Sequence, residues 1–174
     1  RASHRISITE LAVGTSVSAN VIKRNAPSVA AAAASGRLIL LAEDNETNRD
    51  VLGEQLRLLG FACEMAIDGE KALAMWRDGC GANGNPPRYA MLLTDCHMPN
   101  LDGFELTGAI RLEEPAGTHL PIIAITANAM QGEAERCHDR GMDGYLCKPL
   151  RMRELGDMLH KWLPLPNAEQ ADCK

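Results

Sequence analysis

A chain of 174 residues can bury one good-sized core and is too short for two full-sized domains. Hydrophobic residues at 45% and charged residues at 24% place it among ordinary globular proteins, and aromatics at only 3% leave the core to aliphatic side chains. A formal net charge of -5 argues against a nucleic-acid binder, and no apolar run approaches the ~20 residues that cross a bilayer. Six cysteines, at 63, 80, 96, 137, 147 and 173, include no CxxC pair. Without a secretory signal they read as free thiols in a reducing cytosol. The first residue is Arg rather than Met, so the chain reads as a piece of a larger one.

Residues 1–36 are read as a linker or the remnant of a preceding domain, partly flexible, ending in the low-complexity run SVAAAAASG. From residue 37 apolar runs alternate with amphipathic stretches, the pattern of a parallel sheet wrapped by helices. Residues 38–42 form a continuous apolar run and a buried strand. Thr47, with Asp50 three residues later, resembles a capping box; Leu52, Leu56 and Leu59 then share a helical face, and Gly60 ends the helix. A weaker strand at 61–66 precedes a helix around 70–76, and DGCGANGNPPR at 78–88 is a long loop.

Residues 90–94 make a third strand that runs directly into Asp95. A helix near 104–112 follows, and residues 122–126 form the fourth strand. Met130, Ala134 and Cys137 line the next helix, stopped by Gly141, and 144–147 is a short fifth strand. A last helix over 152–162 places Leu155, Met158, Leu159 and Trp162 at core spacing. The expected domain spans 37–164, with 165–174 as a tail too short for a DNA-binding output domain.

In open α/β sheets ligands bind beyond the carboxyl ends of the strands. Here those ends carry Glu43 and Asp44 after the first strand, Asp95 after the third, Thr126 closing the fourth and Lys148 after the fifth. Three neighbouring carboxylates repel, and a hard divalent cation is their natural counter-charge. The set suits phosphoryl transfer, a reaction governed by positioning and electrostatics. Asp95 is the nucleophile, Asp44 and Glu43 hold Mg²⁺ (or Mn²⁺), and Lys148 and Thr126 meet the phosphoryl oxygens. Singly, each residue has an ordinary reading: a turn acid, a strand-end hydroxyl, a solvated lysine. A dehalogenase-like aspartyl-phosphate enzyme needs a second Asp two residues after the nucleophile, where His97 stands. A nucleotide-binding loop needs glycines where Glu43, Asp44 and Asn45 stand.

LLAEDN, LLTDCHMPNLDGFEL, IIAITANAM and GYLCKPL, in this order, resemble the receiver domains of two-component signalling. The resemblance implies a flavodoxin-like (CheY-like) doubly wound sheet of five parallel strands, order 2-1-3-4-5, with five helices. It implies phosphorylation of Asp95 to 4-aspartylphosphate and a metal held by Asp44, Asp95 and the backbone carbonyl of His97, with Glu43 acting through water. Thr126 and Tyr145 are the implied switch pair, Pro149 follows an implied cis peptide, and His97 and Asn128 occupy positions that tune phosphate lifetime. Pro99 and Gly103 shape the loop after the acceptor.

EDNxxN, TANAM and GMDGYLCKP are similar to receivers fused to hybrid sensor histidine kinases. The implied partners are a histidine kinase core and a histidine phosphotransfer domain, with no nucleic acid and no membrane contact by the domain itself. The isolated domain is not expected to be an enzyme beyond its own phosphorylation and dephosphorylation. Its expected place is the cytoplasm, with an inner-membrane anchor left open for the parent. The alternative is a stand-alone receiver that acts as a phosphorylation-switched binding adaptor.

Overall fold

Strand β1, Ile39–Ala42, is apolar and buried at every position, so both of its faces must be covered. The computed structural model, which describes residues 26–81, 86–127 and 132–164, supplies the covering layers. The elements run α1 (Val29–Ala34), β1, α2 (Glu46–Leu58), β2 (Cys63–Ala66), α3 (Gly69–Asp78), β3 (Met91–Asp95), α4 (Gly103–Glu113), β4 (Ile122–Thr126), α5 (Glu133–Asp139), β5 (Gly144–Cys147) and α6 (Met152–Trp162). The five strands pair in parallel in the order β2-β1-β3-β4-β5.

Side chains alternate across this sheet into two cores. Leu38, Leu40, Leu92, Ile122 and Ala124 meet α3, α4 and α5 through Trp76, Phe104, Ile110 and Cys137. Ile39, Leu41, Met91, Leu93, Ile123 and Ile125 meet α2 and α6 through Leu52, Leu56, Leu155 and Leu159. Burying one such aliphatic side chain contributes about 1.5–3 kcal/mol. The reversal of strand order falls between β1 and β3, whose neighbouring positions end in the pair Ala42 and Thr94. One residue further along each strand stand Glu43 and Asp95.

The structure departs from the sequence reading in three places. The stretch read as bare linker contains helix α1, so the described residues hold six helices rather than five. Alanine has the highest helix propensity, Ser28 Oγ accepts from the Ala31 N–H at 3.2 Å, and Gly36 leaves the helix at φ 64°. Ala32 is fully buried in the core, which supports a helix too short to persist alone. Thr47 and Asp50 do not cap α2; Asn45 does, accepting from Asn48 N–H at 3.0 Å. Its extended backbone directly after the strand starts the helix before Thr47 can act as a cap.

Strand β2 begins at Cys63, because Phe61 still closes the preceding helix with its N–H on Leu56 O at 2.9 Å. Helix α5 begins at Glu133, so Ala134 and Cys137 belong to it. Met130 and Asn128 lie outside the described residues, as do 1–25 and 165–174. The described ends of the long 78–88 loop sit at the amino rim of the sheet, where Arg88 forks onto the Glu64 carboxylate at 2.9 and 2.6 Å. That rim is opposite the strand ends bearing the acids. No helix among the described residues is long and apolar enough to cross a membrane.

Candidate functional site

Asp95 is the last residue of β3 and 7% exposed, and Glu43, just past β1, is fully buried. Asp44 follows on the exposed side of the turn. Carboxylate oxygens of Glu43, Asp44 and Asp95 lie within 4.8 Å of one another. Lys148 reaches the cluster from the end of β5, where its N–H is tied to Thr126 O at 2.7 Å. Its Nζ donates to Asp95 Oδ2 at 2.5 Å and to Glu43 Oε2 at 2.8 Å. Burial by itself would push the Lys148 ammonium down; hydrogen bonds and charge from Asp95 and Glu43 outweigh it and hold the group above the usual lysine range.

The second carboxylate oxygens of Asp95 and Glu43 also accept hydrogen bonds. Asp95 Oδ1 accepts the His97 N–H at 2.9 Å. Glu43 Oε1 accepts from Asn45 N–H at 3.2 Å and from Asn48 Nδ2 at 3.3 Å. Arg49 Nη1 donates to the carbonyls of Glu43 at 2.8 Å and Asp44 at 3.2 Å. Asn48 entered the sequence reading only as the last residue of EDNxxN, with no role of its own, and Arg49 did not stand out, since polar residues on a first helical turn ordinarily face water. Their offsets of five and six residues from Glu43 were the available signal.

The loop after Asp95 turns through Asn100 at φ 67° and returns to α4, where Gly103 N–H bonds Cys96 O at 3.1 Å. A Cβ at Gly103 would run into the Asp95 carbonyl, which is why glycine stands there. Thr126 is buried at the end of β4. Tyr145, on the neighbouring strand and two register positions back, is 40% exposed. The His97 ring lies outside, edge-on to Phe104 at 6.4 Å between centroids. The Lys148–Pro149 peptide is cis.

Oxygen donors only, three of them anionic and one open to solvent, fit a hard divalent cation and offer nothing to a soft one. With one ammonium against three carboxylates the cluster keeps a net negative charge, and a cation would complete it.

Residues 39–160 match the response regulator receiver domain. The chain is 40% identical over 127 residues to the hybrid signal transduction protein dokA of Dictyostelium discoideum, covering 73% of this chain and 7% of that protein. It thus spans a small fraction of that relative's length. Among solved structures, the receiver domain of a Pseudomonas aeruginosa sensor histidine kinase, with a magnesium ion coordinated in its active-site cleft, is 41% identical. It covers 73% of this chain and 97% of its own, at a TM-score of 0.60. The receiver domain of the Saccharomyces cerevisiae response regulator Ssk1, in complex with the histidine phosphotransfer protein Ypd1, is 25% identical. That match covers 72% and 87% of the two chains at a TM-score of 0.61. With its strand order, its acids at the switch point and its match over residues 39–160, the chain belongs to the response regulator receiver domains of two-component signalling.

Proposed function

We propose that this receiver accepts a phosphoryl group from a phosphohistidine onto Asp95 and passes it to a histidine phosphotransfer domain, as the receiver of a hybrid sensor histidine kinase. The observation that carries the reading is the Asp95 carboxylate, held by Lys148 beside Glu43 and Asp44 at the rim of the sheet. Relatedness to dokA and to the sensor-kinase receiver supports the hybrid origin. The Ssk1–Ypd1 complex supports the phosphotransfer partner.

A carboxylate oxygen of Asp95 forms the O–P bond while the P–N bond to imidazole breaks, and the bonding pair stays on the imidazole, which takes up a proton. Lys148, which donates to Asp95, meets charge on the transferring oxygens in this reading, and the Thr126 hydroxyl hydrogen-bonds one of them. Glu43, Asp44, Asp95 and the His97 carbonyl would hold Mg²⁺, which supplies positive charge against the phosphoryl oxygens. Exposed Val51 on α2 borders a groove lined by Leu52, Pro149 and Leu150 beside Lys148, an apolar footing for a protein partner. Thr126 and Tyr145 act as the switch: the hydroxyl is drawn to the phosphoryl group and the ring turns inward. His97 and Asn128 set how readily water reaches the acyl phosphate. A histidine kinase core that draws its phosphoryl group from ATP would place the working domain in the cytoplasm.

Acetyl phosphate with Mg²⁺ is expected to add one phosphoryl group by intact mass, and Asp95→Asn or chelation to abolish it. Labelled chain mixed with a histidine phosphotransfer domain should lose its label to that domain. Full labelling of Asp95→Asn overturns the site. Retention of label, with phosphorylation-dependent binding to the partner, favours the adaptor reading instead.

A further inference from the structure

We infer that Asn48 and Arg49 are positioning residues that hold the two acids after β1 in their cation-binding arrangement. The inference rests on Glu43, Asp44 and Asp95 being the cation-holding set. Carboxylates within 4.8 Å repel, and Asp44 stands on an exposed turn that water would otherwise let swing away. Sheet bonding reaches only as far as Glu43, whose N–H sits on Ala66 O at 3.2 Å. Beyond it, one Arg49 nitrogen gathers the carbonyls of both acids at 2.8 and 3.2 Å. That contact orients the turn without placing the guanidinium on the carboxylates, where it would compete with a cation.

Asn48 acts on the Glu43 side chain. Of the donors on that carboxylate, Lys148 is shared with Asp95 and must be free to follow a phosphoryl group. The Asn45 N–H and Asn48 Nδ2 serve the other oxygen, Oε1, and stay with it. An amide suits this task because it donates a hydrogen bond and brings no positive charge. Asn45 in turn caps Asn48 N–H at 3.0 Å, so the residues spaced as EDNxxN form one connected support. Groups that orient metal ligands in this way typically change affinity by 10- to 100-fold.

The test is Mg²⁺ affinity of the full chain by calorimetry, with urea stability measured alongside. Asn48→Ala and Arg49→Ala are expected to weaken Mg²⁺ binding on the order of tenfold, the low end for an open site. Arg49→Lys should restore most of the loss. Arg57→Ala, which breaks an exposed ion pair with Glu54 on the same helix, should leave Mg²⁺ affinity unchanged. Labelling by acetyl phosphate should slow in Asn48→Ala at low Mg²⁺ and recover at saturating Mg²⁺. Unchanged affinity in both folded alanine variants overturns the inference, as does a loss matched by Arg57→Ala. Asp44→Asn and Asp95→Asn run in parallel: if these also leave affinity unchanged, the cation-site reading itself has failed, and if they weaken it alone, only the positioning role has.

Discussion

Removing Lys148 exposes the electrostatic balance on which the site depends. In Lys148→Met, Glu43 and Asp95 lose the ammonium that contacts them at 2.8 and 2.5 Å. At an effective dielectric of about 20 each contact is a gross attraction of roughly 6 kcal/mol, while two carboxylates 4.8 Å apart repel by about 3.5 kcal/mol. Most of the attraction is offset by the cost of burying the charges, and stripping one partner from a buried pair typically costs 3–5 kcal/mol. The Lys148 side chain is 25% exposed, so solvent screening places the expected loss near the low end, about 3 kcal/mol.

A divalent cation can supply the missing charge. Mg²⁺ at about 100 times its dissociation constant stabilises a folded state by about 2.7 kcal/mol, and tighter binding at the same concentration gives more. Without a competing ammonium in the cluster the variant should bind Mg²⁺ more tightly, so Mg²⁺ should raise its urea midpoint more than that of the wild type. Unfolding followed by circular dichroism with and without Mg²⁺ measures all four values. A variant as stable as the wild type without metal would refute the balance, and so would equal Mg²⁺ increments in the two proteins.

Other perturbations probe the surrounding parts. Gly103→Ala forces a Cβ against the Asp95 carbonyl and is expected to cost about 1–3 kcal/mol in urea unfolding while slowing phosphoryl labelling; full stability and labelling would show that the loop yields freely. Thr126→Ala should still take up one phosphoryl group but give smaller amide shifts along β5 than the labelled wild type, and equal shifts would remove Thr126 from the switch. Burial, followed by the nearby Glu64 charge, pushes the Cys63 thiol up to about 11. Because the thiolate is the nucleophile, alkylation of Cys63 mapped by peptide mass should stay slow until the pH approaches that value, and complete reaction of the folded protein at neutral pH would contradict the burial. The same upward displacement means that this thiol's contribution to stability is intact below pH ~8.5, its ordinary value, and is lost as the pH rises through about 11.

Strands and strand ends were legible from residue types because of where water is absent. A parallel strand covered on both faces must be apolar throughout, so 38–42 and 122–126 announced themselves, and a polar residue that interrupts such a run marks the rim. Asp95, Thr126 and Lys148 were visible for that reason, and the family resemblance supplied the strand order. Short-range competition was harder to read. The choice of Asn45 over Thr47 as the α2 cap turns on a backbone angle of one residue, and the alanine run became α1 only because Ala32 found a core to enter.

What residue order alone could not decide was which distant groups share an oxygen. Lys148 lies 105 positions from Glu43 and 53 from Asp95, and only the β1–β3–β4–β5 register brings the three together. Likewise, the roles of Asn48 and Arg49 exist only because α2 leaves the strand at an angle that lays its first turn over the acids. Chain composition determines which segments avoid water, a local property of side chains. Charge placement to within a few tenths of an ångström is a property of the packed sheet, because tertiary contacts alone fix the distances on which Coulomb energies depend.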